Sequence, residues 1–465
     1  MVGGRRAILG ASSPRCVARR RVGSQGPGHL VGGGWAAGRL NLEENPVPSA
    51  ESGSYRLAAL ARPELAGLCD QALTSGANFV TIVVVARAVS PSEFGFFVLA
   101  FTVILTALTF QAALITRPHN VLAVVRRDAA YSNYTTTAAA AQLVVTGCLG
   151  AVCLLAAGIA GLAGSARALP LVALAFALVS WQLQEFGRRV LYTERRLGGA
   201  LASDILSYGG SVAALVALWR LDLLTVTRVF VILAVAFAVG AVASLRQVRT
   251  ALSGSLDSAS LTVSWRFGRW LGLAEVGQWF STQFVYYLAA AVLGAVASGA
   301  LKAGQTLLGP SAAFLAFFSS YLPIVYAGEL RRSGGLERKV RWSFSAIVPV
   351  VLTYSVLTAL YSEQLLELVY GSEYGRYSDV VVVFAIYYAA LSISTVAVAV
   401  LSARGMTRGI FAGHAAGALV FVAIGWALLE TWGPVGGVAA MLASLVVATA
   451  VFIRVQGVGV GGRRG

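Results

Sequence analysis

A handful of charged side chains fall inside apolar runs of this sequence, and they are the residues that could do chemistry. Asp70 and Glu275 stand near the starts of two such runs. Glu185, Arg188 and Arg189 share another, Asp204 opens the next, and Lys302 begins one more with Gln305 a turn further on. A charge in mid-bilayer costs about 2.5–3.5 kcal/mol on insertion scales, so it faces a cavity or a partner. Arginine suits phosphate, because its planar fork donates paired hydrogen bonds. Glu185 beside Arg188 or Arg189 reads either as a structural ion pair or as part of a ligand site. Arg117, Arg188 and Arg189 read either as ligands or as interface residues that fix topology. Asp70 is placed to neutralise an arginine at the rim. Asp70, Thr74 and Asn78 are four apart and share one helical face. Glu275, Gln278, Thr282, Gln283 and Tyr286 fall at i, i+3, i+7, i+8 and i+11, again one face, with Trp279 adding an aromatic surface.

The elements that must position these groups are membrane helices. The chain has 465 residues with mean hydropathy +0.75 and only 12% charged residues; a soluble domain carries about a quarter. The net charge of +16 does not indicate nucleic acid, because the arginines separate apolar runs and form no basic domain interleaved with aromatics. Cys16, Cys69, Cys148 and Cys153 show no metal spacing, and the last two read as small core residues rather than a disulfide. His29, His119 and His414 lie far apart, so no hydrolytic metal site is expected. Gly457 to Gly462 matches a dinucleotide-loop pattern with no helix after it. No GxxxxGK[ST] occurs, and no cofactor is expected. The Asn133-Tyr134-Thr135 sequon is expected on the cytosolic side of the membrane.

Residues 1–64 are rich in Gly, Arg and Pro and have no long apolar stretch before a cleavage site. They read as a disordered basic cytosolic tail, or as an over-extended start. Beyond them lie twelve segments of spanning length, each of about 20 residues as a core ~30 Å thick requires: roughly 67–89, 94–116, 136–163, 168–190, 199–219, 224–245, 269–293, 299–326, 342–361, 379–401, 408–430 and 434–454. Arg220 to Leu223 is a tight hairpin between the fifth and sixth. Pro310, Pro323 and Pro349 fall inside spans, where they can kink helices. With the N-terminus inside, the cytosolic loops and their flanks hold Arg117, Arg126, Arg127, Arg188, Arg189, Arg195, Arg196, Arg246, Arg249, Arg266, Arg269, Arg331, Arg332, Arg338, Lys339, Arg341, Arg404 and Arg408. The opposite side holds Arg167, Arg220, Arg228, Lys302 and Arg376, with Arg87 at the outer rim beside Glu93 as a salt bridge or headgroup anchor. This excess sets both termini inside. The expected fold is an all-α polytopic membrane protein with about twelve transmembrane helices in two six-helix lobes. The lobes are 65–245 and 265–454, joined by a polar cytosolic linker at 246–264, with a Gly/Arg tail at 455–465. Halves with matching polar first helices point to a duplicated transporter whose site lies between lobes.

Several short motifs resemble one family. Asp70-Gln71-Ala72-Leu73, Asn78-Phe79, Ala86-Arg87 and Ser90-Pro91-Ser92-Glu93-Phe94-Gly95 resemble the opening of polysaccharide-biosynthesis flippases of the MOP superfamily. So do Gln182 to Arg189, Tyr370-Gly371-Ser372-Glu373-Tyr374, Ala403-Arg404-Gly405 and Gly433-Pro434-Val435-Gly436-Gly437, in that order along 65–454. The resemblance implies a multi-pass inner- or plasma-membrane flippase, not an enzyme. Its implied substrate is a lipid-linked oligosaccharide on a polyprenyl-pyrophosphate carrier, moved from inner to outer leaflet. Membrane lipids, a polysaccharide polymerase and glycosyltransferases are the implied partners. On that reading Arg117, Arg188, Arg189 and Lys302 attract the pyrophosphate. Asn78, Glu275, Gln278, Gln283 and Tyr286 meet sugar hydroxyls, Trp279 stacks, and Asp70 and Glu185 complete the cavity. A small-molecule cation antiporter of the same superfamily would prefer acidic walls. A lipid II flippase commonly has two additional helices. A membrane glycosyltransferase would need a DxD-like motif or a large outer loop, and the loops here are short.

Overall fold

The computed structural model describes residues 72–124, 126–333 and 335–461. The expected tail at 1–64, and Asp70 with it, lie outside the described residues. Helices alone form the scaffold; among the described residues there is no strand. The first half holds α1 (Ala72–Ala88), α2 (Pro91–Leu122), α3 (Asp128–Leu162), α4 (Ala168–Thr193), α5 (Leu197–Arg220) and α6 (Val226–Gln247). The second half holds α7 (Ser258–Thr282), α8 (Phe284–Leu293), α9 (Ala295–Leu307), α10 (Gly309–Ser333), α11 (Glu337–Leu360), α12 (Ser362–Tyr370), α13 (Ser378–Ala403), α14 (Thr407–Trp432) and α15 (Pro434–Gly461).

Ten helices among the described residues are long and apolar enough to cross a membrane. The two remaining expected crossings are helical as well. One is α1, and the other is α7 continued by α8, whose Arg266, Arg269 and Glu275 lower its hydropathy. The expected crossing at 299–326 is split at Leu308 into α9 and α10, just before Gly309-Pro310, because proline supplies no N–H to continue the ladder. Pro323 and Pro349 stay inside α10 and α11. The linker is shorter than expected: α7 begins at Ser258, not at Trp265, because Asp257 caps it by accepting from the Ala259 and Ser260 amides at 3.0 and 3.1 Å. The expected tail at 455–465 is helical as far as Gly461.

Local chemistry explains the boundaries. Ser90 caps α2, accepting from the Glu93 amide, with Pro91 at the first helical position and Glu93 in the first turn. Asp222 takes a positive φ in the α5–α6 hairpin. Ala112–Thr116 of α2 is a π-helical turn directly ahead of Arg117-Pro118. The Pro118 ring would crowd the carbonyl four residues back, and the wider turn relieves that crowding.

Contacts sort the loops into two ends. At one, Arg196 Nη1 donates to the Gln247 carbonyl at 2.6 Å, and Ser132 Oγ donates to the Thr250 carbonyl at 3.1 Å. In the second half, Arg404 Nη1 donates to the Gln456 carbonyl, joining the ends of α13 and α15. At the other, the Arg167 guanidinium lies 4.2 Å from the Phe96 ring centroid. The arginine-rich loops thus gather at one end, as a helix-by-helix crossing requires. One continuous apolar core runs through both halves, from Val85 and Phe97 through Leu301 to Phe384 and Phe421. Cys148 is exposed on α3 and Cys153 half-buried, both as free thiols, so Cys148 is not the core residue its apolar run implies.

Candidate functional site

The structure separates the expected site residues into three groups. The first is a buried network in the first half. Arg188 Nε lies 2.7 Å from Asp204 Oδ2, and its Nη1 lies 2.8 Å from Glu185 Oε2. Arg189 Nε pairs with the other Glu185 oxygen at 2.6 Å. Asp204 is fully buried and also accepts from Gln184 Nε2 at 2.6 Å. Nearby, Gln142 donates to Thr146, which donates to Gln182 Oε1 at 2.7 Å, and Gln111 donates to the Gln182 carbonyl at 2.9 Å. Charge-assisted bonds tie α4 to α5, and the neutral Gln142–Thr146–Gln182 chain ties α3 to α4, while Gln111 Oε1, Gln142 Oε1, Gln182 Nε2 and Gln184 Oε1 are buried without a hydrogen-bond partner among the described residues. Of the two readings open to Glu185 and Arg188, the geometry is that of an internal ion cluster. Arg189 is more accessible, with 38% of its side chain exposed.

The second group sits where the halves meet. Arg117, at the arginine-rich end of α2, forms an ion pair with Glu275 of α7. Trp279 Nε1 donates to Thr106 Oγ1 of α2 at 2.7 Å, and the indole packs against Phe280, Phe284 and Tyr287. Trp279 therefore sits half-buried in the α2–α7 seam.

The third group borders a cavity of about 500 Å³ set mainly among α7, α10, α13, α14 and α15. Gln278, Ser281, Thr282 and Gln283 line it from the α7 side. The helix breaks at Gln283, so the expected single face of Glu275 to Tyr286 is not continuous. Glu275 turns to Arg117, and Tyr286 is buried behind the wall. Gln305 borders the cavity with Lys302 directly behind it. Lys302 Nζ donates to Gln305 Oε1 at 2.9 Å, and the Tyr286 hydroxyl donates to the same oxygen at 2.6 Å. The ammonium also lies 5.5 Å from the Tyr286 ring centroid. Two donors on its oxygen orient the Gln305 amide so that its NH₂ is turned away from them. No carboxylate lies within ion-pair distance of Lys302 among the described residues. Arg117 borders the mouth at the arginine-rich end, with half of its side chain exposed. Asn78 is half-buried on α1 and is not among the lining residues.

Sequence reasoning missed much of the wall. Tyr387, Leu391, Ser394, Thr395 and Val398 recur at i, i+4, i+7, i+8 and i+11 on α13 and line the cavity together. That face is legible in the sequence, but it lies in a run apolar enough to pass for lipid-facing helix. His414 and Ser444 complete the polar lining from α14 and α15. They are isolated polar residues with no spacing signal. No Asp or Glu lines the cavity.

Fold and cavity together define a polytopic membrane protein with a partly polar cavity among the helices of its second half, bordered by Arg117 from the first, and solved structures share that fold. An inward-facing multidrug-resistance MATE-family transporter of the MOP superfamily matches with TM-score 0.68 and 14% identity, over 82% of this chain and 93% of that one. The lipid II flippase MurJ, in an inward closed conformation, matches with TM-score 0.65 and 10% identity, over 85% and 87%. A MOP-superfamily transporter from Pyrococcus furiosus, described as having a binding pocket of reversed polarity that suggests a different function, matches with TM-score 0.60 and 11% identity, over 85% and 93%. The chain therefore has the fold of MOP-superfamily transporters. No family model matches the sequence, and comparison with curated proteins finds no match.

Proposed function

We propose that this protein is a flippase that moves a polyprenyl-pyrophosphate-linked oligosaccharide from the inner to the outer leaflet by alternating access of two six-helix lobes. The observation that carries this reading is the charge of the cavity. Its polar lining is amides, hydroxyls and His414, set among apolar side chains such as Leu315, Leu391, Met441 and Phe452, with Arg117 at the mouth, Lys302 behind Gln305 and no carboxylate. Such a wall suits an anionic, hydroxyl-rich headgroup and disfavours an organic cation, which calls for acidic groups. The Pyrococcus furiosus relative supports the idea that pocket polarity and cargo diverge within this fold.

The residues take distinct roles. Arg117 meets the incoming pyrophosphate with its fork, in competition with Glu275. The Gln305 amide, held by Lys302 and Tyr286, donates deeper inside, where low dielectric strengthens each bond. Gln278, Gln283 and Ser394 face sugar hydroxyls. The Glu185–Arg188–Asp204 cluster keeps the first lobe rigid. With no nucleotide-binding motif in the sequence, the driving force is an ion gradient, the membrane potential or removal of product. An anion leaving a negative interior gains about 2.3 kcal/mol per charge per 100 mV. The protein acts in the plasma or inner membrane with both termini cytosolic, between glycosyltransferases that assemble the cargo and a polymerase that consumes it.

Gene deletion and lipid extraction test the reading. Accumulation of a polyprenyl-linked oligosaccharide is the expected result. Unchanged lipid pools with lost resistance to a cationic drug favour the antiporter, and accumulation of lipid II favours the peptidoglycan flippase.

A further inference from the structure

Two motifs far apart in the sequence, Ala86 to Gly95 and Tyr370 to Tyr374, take no part in the cavity, yet the structure brings them together. Arg87 closes α1 and reaches across to α12. Its Nε donates to the Val369 carbonyl at 2.6 Å, and its Nη2 donates to the Leu368 carbonyl. These carbonyls belong to the last turn of α12, where helix geometry leaves acceptors without intrahelical donors and the macrodipole favours a cation. Gly371 ends that helix at φ 104°, a backbone conformation open to glycine. Seven residues beyond Arg87, Phe94 meets Tyr374 edge to face at 6.1 Å. Next to it, a Cβ on Gly95 would overlap the Ala295 carbonyl at the start of α9. Arg87 is therefore not paired with Glu93; it is bonded to the other half of the chain.

These contacts share one place. They join the first half to the second at the end opposite the arginine-rich loops, while the cavity reaches Arg117, His414 and Phe452 toward the arginine-rich end. We infer that Arg87, Phe94 and Gly95 form a latch with the α12 C-terminus, Tyr374 and Ala295 that holds the outer end of the translocation path shut. Arg87 acts as a positioning residue for the closed state and touches no cargo. The latch rests on the alternating-access part of the proposed function but not on the nature of the cargo.

The experiment uses the full chain in cells, with its four cysteines replaced and Ser394→Cys as a reporter in the cavity wall. A membrane-impermeant maleimide is added from outside. The intact latch gives slow labelling. Arg87→Gln and Gly95→Ala each raise the labelling rate about ten-fold, the population change that about 1.4 kcal/mol of lost closed-state preference produces. Arg87→Lys, which keeps one donor, falls between. Labelling of both variants at the parent rate, with each protein monodisperse after extraction, overturns the latch. As a second measurement, Phe94→Cys and Tyr374→Cys are bridged with a short bis-maleimide. The bridge abolishes outside labelling of the reporter if the latch must part, and unchanged labelling through the bridge contradicts it. Neither readout needs a substrate, so a wrong cargo leaves both interpretable.

Discussion

Arg188 is buried and Lys302 partly buried, and their surroundings give the two cations opposite expectations. Arg188 has two carboxylates within 3 Å, and removing one member of a buried pair strands the other. Arg188→Ala is expected to destabilise the detergent-solubilised protein by about 3 kcal/mol or more. Arg189→Ala, at a more exposed position, should cost under about 1 kcal/mol. Thermal unfolding monitored by size-exclusion checks both, and equal losses would contradict the internal-cluster role. Among the described residues, the Lys302 ammonium meets Gln305 and the Tyr286 ring. Its replacement by Gln removes a partly buried charge that has no carboxylate beside it, so stability should hold, while transport of an anionic headgroup falls about ten-fold or more, the scale of one charge-assisted hydrogen bond. The sequence singles out both residues because charge stands out in apolar runs. It does not reveal that Asp204 is Arg188's second partner, because that pairing joins helices and obeys no local spacing.

At the scale of elements, helix identity was legible and helix continuity was not. Among the described residues every expected crossing falls on helix, since apolar runs of spanning length have no other way to satisfy their backbone in lipid. The π-turn before Pro118, the break at Gln283 and the break at Leu308 each rotate one part of a helix against the next, so an ideal 3.6-residue period misplaces the side chains beyond each break. That is why Glu275 and Tyr286, drawn on one face, point to different neighbours. The start of α7 carries a prediction of its own. Hydrogen bonds from the Ser260 hydroxyl and the Ala259 and Ser260 amides hold the Asp257 carboxyl below its usual range. A depressed carboxylate adds stability that is present above its unfolded value, near 4, and is lost as pH falls through its folded value. Asp257→Ala should therefore lower the unfolding temperature at pH 7 and make little difference near pH 2, with Asp257→Asn close to the parent at pH 7. A loss for Asp257→Ala that is equal at both pH values would contradict the cap.

At the scale of the whole molecule, a cavity without carboxylates, reached from the arginine-rich end, is joined to a latch at the other end. The overall architecture was legible from hydropathy, arginine distribution and motif order. The cavity was legible only in part. Gln278, Gln283 and Arg117 border it, while Glu185 and Arg188 lie in the α4–α5 ion cluster and Trp279 in the α2–α7 seam, and the α13 wall was hidden in an apolar run. The central claim is that this chamber carries an anionic lipid-linked headgroup. The most direct measurement is reconstitution of the purified protein in liposomes with a fluorescent polyprenyl-pyrophosphate-linked oligosaccharide, quenched from one side. Protein-dependent translocation is expected, slowed about ten-fold or more by Lys302→Gln while the variant stays folded. No translocation by the parent, with exchange of a cationic dye that Lys302→Gln leaves intact, would contradict the claim.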